Sequence, residues 1–146
     1  DMVLNVKKII EKSLQNNNIE LIVDLKEEIS VTTYSKELMQ VMLNILNNAK
    51  EVLMRRSIEE KKISLVIVEE NSDVKVEICD NAGGIPQENM EQIFYPYFST
   101  KNEKNGSGLG LYMSKTIVEK HLMGKIDVEN KFDGACFKIT FPKSIL

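Results

Sequence analysis

The chain has 146 residues, 19 basic and 22 acidic, with a net charge of −3. Its length fits one domain, and 42% hydrophobic with 28% charged residues is the balance of a globular protein that buries a core without metal or disulfide staples. The charge leaves no basic footprint for nucleic acid, and the longest apolar run, Leu65–Val68, is far short of the roughly 20 residues of a membrane span.

The N-terminal residues lack the apolar stretch of a signal peptide, so no direct membrane contact is expected. Val6, Ile9, Ile10 and Leu14 have helical spacing, which predicts a helix over Leu4–Gln15 that Asn16–Asn18 breaks. Glu20–Leu25 and Val31–Tyr34 are rich in β-branched residues and predict two short strands. Ser35 is a candidate N-cap for a long helix reaching about Arg56. Lys62–Val68 and Val74–Cys79 predict a strand pair turned at Asn71-Ser72-Asp73. From Asp80 to Ser107 there is little periodicity, and a long loop in a compact domain is usually functional. Leu109–Leu122 is again helical. Ile126–Glu129 and Cys136–Phe141 predict a closing hairpin around Asp133-Gly134. Cys79 and Cys136 have no metal-type spacing and are expected as two reduced, buried thiols of a cytoplasmic domain. The alternation of helices with strand pairs predicts the α/β class: a two-layer α/β sandwich, with a mixed, mostly antiparallel sheet packed on three helices.

On a helical wheel of Ser35–Arg56, Glu37, Asn44, Asn48, Glu51 and Arg55 share an arc of roughly 60°. Leu38, Met42, Ile45, Leu46, Ala49 and Leu53 fill the adjoining apolar arc. A solvated stripe would favour Lys, Glu and Arg, because Asn is a poor helix former. Two Asn one turn apart therefore suggest a use for their carbonyls, which are hard oxygen ligands suited to Mg²⁺.

Two glycine segments follow. Asp80-Asn81-Ala82-Gly83-Gly84-Ile85-Pro86 comes after a strand, and its paired glycines let backbone approach a ligand closely. Gly106-Ser107-Gly108-Leu109-Gly110-Leu111 opens a helix, where backbone N–H groups suit a phosphate. With these segments in this order, nearly the whole chain resembles the ATP-binding catalytic domain of sensor histidine kinases, in the GHKL superfamily. Asn44-Ile45-Leu46-Asn47-Asn48-Ala49 is similar to the N box, and Asp80–Pro86 to the first glycine box. Phe94-Tyr95-Pro96-Tyr97-Phe98-Ser99-Thr100-Lys101 is similar to the F box, and Gly106–Leu111 to the second glycine box.

The resemblance implies the site. Asp80 would accept the adenine amino group. Asn48 would hold Mg²⁺, with Asn44 beside the phosphates; these two and Lys101 are the candidate catalytic residues. The adenine and ribose would lie against Ala82, Gly84 and Ile85. Thr100, Lys101, Gly106, Ser107, Gly108, Leu109, Gly110 and Leu111 would line the phosphate side. Ile85 to Ser107 would form a long ATP lid anchored by Phe94 and Phe98. Three positions depart from the family pattern. Ala82 replaces a glycine, which is acceptable if its backbone angle is ordinary. Glu51, also on the nucleotide side, stands where many members have lysine, and this makes the domain resemble the nitrogen-regulation type of histidine kinase. Ala135 stands where a threonine often assists Asp80, leaving Asp80 to act with water.

Asn44 separates the functional alternatives. Hydrolases of the superfamily carry a glutamate base four residues before the Mg²⁺ asparagine, and Asn44 cannot accept a proton. The expectation is a protein-histidine kinase domain that binds Mg-ATP and donates the γ-phosphoryl to a histidine on a separate dimerisation domain in two-component signalling, with a response regulator downstream. A nucleotide-binding switch without transfer activity is the alternative, and a hydrolytic clamp is disfavoured by Asn44. His121 lacks the acid that follows an acceptor histidine and is expected as a structural residue ending the last helix. Residues 1–146 are expected to be the catalytic domain alone, monomeric and cytoplasmic, excised from a dimerisation and phosphoacceptor domain.

Overall fold

The computed structural model describes residues 2–25, 31, 33–56, 58–98 and 109–144. Among them the chain forms helix α1 (Met2–Gln15), strand β1 (Ile19–Leu25), helix α2 (Ser35–Arg55), strands β2 (Lys61–Glu70) and β3 (Asp73–Asp80), helix α3 (Gly110–Thr116), which runs on as a π-helical turn over Ile117–His121, and strands β4 (Lys125–Lys131) and β5 (Gly134–Pro142). Among the described residues between β3 and α3, Gln87–Asn89 and Gln92–Phe94 form single 3₁₀ turns.

The sheet order is β1-β2-β3-β5-β4, with β1 parallel to β2 and every other pair antiparallel. The parallel pair needs a crossover, and α2 supplies it. The three helices pack on one face of this sheet, giving the expected two-layer sandwich. The inner face is built by alternation: Ile63, Leu65 and Ile67 on β2, Val74, Val76 and Ile78 on β3, and Phe137, Ile139 and Phe141 on β5 are all buried. Against them α1 buries Val6, Ile10 and Leu14, spaced four apart. The whole apolar arc expected on α2 is buried, with Val41 added. Leu46 is completely buried. Leu46→Ala should therefore cost about 3 kcal/mol, read as a lowered denaturation midpoint at unchanged slope.

Four local expectations are corrected. Val31–Tyr34 is not a strand. Val31, Thr33 and Tyr34 are irregular, and the Tyr34 carbonyl already accepts the Leu38 N–H of α2. The approach to the crossover helix overrides their β propensity. Ser35 is not the N-cap; Tyr34 holds that position without a side-chain cap bond, and Ser35 is the first helical residue. The last hairpin turns at Phe132-Asp133, both with positive φ, while Gly134 opens β5. Finally, Cys79 and Cys136 are not two thiols. They face each other across the β3–β5 ladder, with Cα atoms 4.1 Å apart, and form a disulfide. A separation of 57 residues hides that adjacency from the sequence. The β2–β3 turn is as expected, with Asn71 and Ser72 at positive φ in a two-residue hairpin loop.

No helix among the described residues is long and apolar enough to cross a membrane. His121 does end the last helical turn. Its Nδ1 lies 2.6 Å from Glu37 Oε2, and its ring meets Tyr34 edge-on, tying the end of that turn to the start of α2.

Candidate functional site

The end of β3 delivers Asp80 into the protein at 7% exposure. Its Oδ1 accepts the N–H of Ala82 at 2.9 Å and that of Ala135 on β5 at 3.3 Å. The first bond closes a local turn, and the second uses the neighbouring strand. Ala135 thus orients Asp80 through its backbone N–H. Burial pushes the Asp80 carboxyl above its ordinary value, while the two N–H groups and the Arg56 charge pull it back. The result is a buried, oriented acceptor at a strand end.

The glycine segment turns away from Asp80 through two positive-φ residues, Gly83 and Gly84, at 98° and 90°. Ala82 has no positive φ, which explains why an alanine serves there. Gly134 is needed for another reason. A Cβ on it would fall on the backbone carbonyl of Asp80. Gly134→Ala should force β5 off β3, costing about 3 kcal/mol and displacing the carboxylate. The check is thermal unfolding together with nucleotide titration; an unchanged midpoint would refute the argument.

On α2, Asn44, Asn48 and Glu51 are half-buried, while Asn47 is exposed. Asn44 Nδ2 donates to Ser114 Oγ of α3 at 3.3 Å, and Ser114 is fully buried. That bond commits the amine end of Asn44 to the protein. At the other end of α2, Arg56 Nη1 donates to the carbonyls of Ala82 (2.5 Å) and Gly84 (3.0 Å). One helix therefore ties together the glycine segment and α3. Glycine at position 110 begins α3 with open space where a Cβ would stand, and Leu109 precedes it as the cap. Leu111 packs against the core. Ahead of α3, Phe94 is buried edge-on to Phe137, with Lys115 over its ring, and Phe98 packs on the core. Thr100, Lys101, Gly106, Ser107 and Gly108 lie outside the described residues.

Several residues of this site were not foreseen. Asn130 pairs its side-chain amide with both N–H and C=O of Ile85, at 2.9 and 2.8 Å. The carbonyl of Asp133 accepts the Gly83 N–H at 2.7 Å. Asn81 accepts the Lys62 N–H and donates to the Glu60 carbonyl, fixing the start of β2. Arg56, Asn130 and Asp133 act over 26 to 50 residues of chain, so no local pattern marks them.

Residues 33–145 match the family model described as histidine kinase-, DNA gyrase B-, and HSP90-like ATPase. A probable C4-dicarboxylate sensor kinase of Halalkalibacterium halodurans is 34% identical over 96% of this chain and 24% of its own. The adaptive-response sensory kinase SasA of Prochlorococcus marinus is 35% identical over 91% of this chain and 36% of its own. The chain thus spans about a quarter to a third of the length of these curated relatives. Among solved structures, the nucleotide-free catalytic domain of histidine kinase ThkA superposes with a TM-score of 0.86 at 29% identity, covering 98% of this chain and 91% of that one. ThkA in complex with the response regulator TrrA gives 0.82 at 28% identity, covering 97% of this chain and 39% of that one. The chain belongs to the histidine kinase-, DNA gyrase B- and HSP90-like ATPase family, and within it to the catalytic domains of histidine kinases.

Proposed function

We propose that the chain binds Mg-ATP and donates the γ-phosphoryl to a histidine on a separate dimerisation domain, and that a response regulator receives it afterwards. The observation that carries the transfer half is Asn44. It is an amide whose amine end bonds to Ser114, one turn before Asn48 on the same stripe of α2. An amide at position 44 cannot take a proton from water, so the phosphoryl goes to a nucleophile that needs less activation. An imidazole nitrogen of the acceptor attacks the γ-phosphorus as the bond to the β–γ bridging oxygen breaks, and ADP leaves with that electron pair. The domain's part is alignment and charge neutralisation.

The binding half rests on chemistry that fits the ligand. Asp80 is a fixed carboxylate, suited to the adenine amino group. Gly84 and Ile85 offer backbone to the base, while Gly108 and Gly110 would meet the phosphates. Lys101 and Thr100 are assigned to the γ-phosphate side and Glu51 to the edge of the stripe. Asn48 offers an amide oxygen, the hard donor that Mg²⁺ prefers. When bound, Mg²⁺ would neutralise phosphate charge.

The test mixes the domain with Mg-ATP and a separately produced dimerisation domain of a sensor kinase carrying its acceptor histidine. Acid-labile, base-stable phosphate on that histidine is the expected product. Steady phosphate release by the domain alone, with no labelled acceptor, would refute phosphotransfer in favour of a hydrolase. Asn48→Ala should lower the transfer rate at least about 100-fold at saturating Mg-ATP, measured by the same label.

A further inference from the structure

We propose that Arg56 and Asn130 are positioning residues for the adenine-side segment Ala82–Ile85, setting base selectivity without themselves touching the nucleotide. The inference rests on the nucleotide site proposed above and names the groups that hold its shape.

Each residue of the segment is held by a group outside it. The carbonyls of Ala82 and Gly84 both accept from Arg56 Nη1. The Gly83 N–H donates to the Asp133 carbonyl. Both backbone groups of Ile85 pair with the Asn130 amide, much as a neighbouring strand would pair with it. Gly84 packs so closely on Asn130 that a Cβ there would lie 2.7 Å from Asn130 Oδ1. Two consecutive residues with φ near +90° do not hold one shape unaided, since glycine visits many conformations. The two clamps supply that constraint, Arg56 from the end of α2 and Asn130 from β4.

Neither clamp serves the core. Both residues are exposed and stand outside the buried apolar cluster, so their removal leaves that cluster intact. The Arg56 charge also favours the ionised form of Asp80, which links the clamp to the acceptor itself. A misplaced segment would disturb contacts along the base and leave the phosphate side unaffected.

The experiment measures dissociation constants for Mg-ATP and Mg-GTP by calorimetry on the wild-type domain, Arg56→Ala, Asn130→Ala, the double variant, and the conservative Arg56→Lys and Asn130→Asp. Asp80→Asn serves as the control for the site, and thermal midpoints are recorded throughout. The expected result is an ATP affinity about 10-fold weaker in each alanine variant, with little change for GTP, so that the ATP-to-GTP ratio collapses. Arg56→Lys should recover part of the loss, and Asn130→Asp should fall between wild type and Asn130→Ala because it keeps only the acceptor for the Ile85 N–H. ATP affinity within about twofold of wild type in folded alanine variants would overturn the proposal. Equal losses for ATP and GTP would also overturn it, because they would mean a general collapse of the site. Should an alanine variant unfold, the conservative pair decides by the same ratio. If Asp80→Asn binds ATP as tightly as wild type while the clamp variants lose selectivity, the assignment of Asp80 fails and the clamps stand. A wild-type domain that binds neither nucleotide brings down both readings.

Discussion

Asp80→Asn should bind ATP at least about 100-fold more weakly than the wild-type domain, a loss of about 3 kcal/mol, while unfolding at the same or a higher temperature. Loss of binding and gain of stability come from the same burial. The Oδ1 position survives as a carbonyl, so the Ala82 and Ala135 N–H groups keep their acceptor. The other oxygen becomes an NH₂, which would present a donor to the adenine amino donor. Folding raises the Asp80 pKa, chiefly by desolvation. A carboxyl raised on folding binds more protons in the native state than in the unfolded one. Its ionised form therefore costs stability, and the cost accrues as pH rises from the unfolded value of 3.8 through the raised native value. Above the raised native value the cost is present in full, and the amide removes it. The stability difference between variant and wild type should shrink as pH falls through that window. Over the same window wild-type ATP affinity should fall, beginning at a higher pH than an ordinary carboxylate would cause. Calorimetric titration and thermal unfolding from pH 4 to 8 test both halves; a variant that binds ATP normally, or that unfolds well below wild type, would sink the account.

Reducing the Cys79–Cys136 bond should lower stability by about 4 kcal/mol, the chain-entropy value for a closed loop of 57 residues. For a chain of this size that is a drop of about 10 °C in the thermal midpoint. The bond joins β3 to β5 one residue before Asp80 and one after Ala135, so it also crosslinks the two strands that orient the carboxylate. The midpoint should be measured in oxidised protein, in protein unfolded and refolded with excess dithiothreitol, and in Cys79→Ala/Cys136→Ala. Both Cys side chains are buried, so unfolding is needed for complete reduction. The double variant should match the reduced protein in midpoint to within a few degrees. Equal midpoints in oxidised and reduced protein would show that the sheet ladder alone holds these strands.

Elements stabilised locally or periodically were readable from the residues alone. The α2 stripe was legible because a 3.6-residue repeat sorted buried Leu38, Met42, Ile45, Leu46, Ala49 and Leu53 from half-buried Asn44 and Asn48. The strand pair β2–β3 was legible from alternation and a polar turn. The family was legible because its site residues come in short, ordered segments, and the comparisons agree. Where pairing is remote or context overrides propensity, sequence gave the wrong answer or none. Val31, Thr33 and Tyr34 favour strands, yet the β1–β2 crossover makes these residues the approach to α2. Phe132-Asp133 took the turn because Gly134 was required beneath Asp80, where a side chain has no room. Cys79 met Cys136, Arg56 met the glycine segment and Asn130 met Ile85 only through the sheet order β2-β3-β5-β4 and the packing of α2 upon it. Local pattern carries the free energy of helices and hairpins, whereas contacts between residues 26 to 57 apart in the chain are formed only once the sheet has closed.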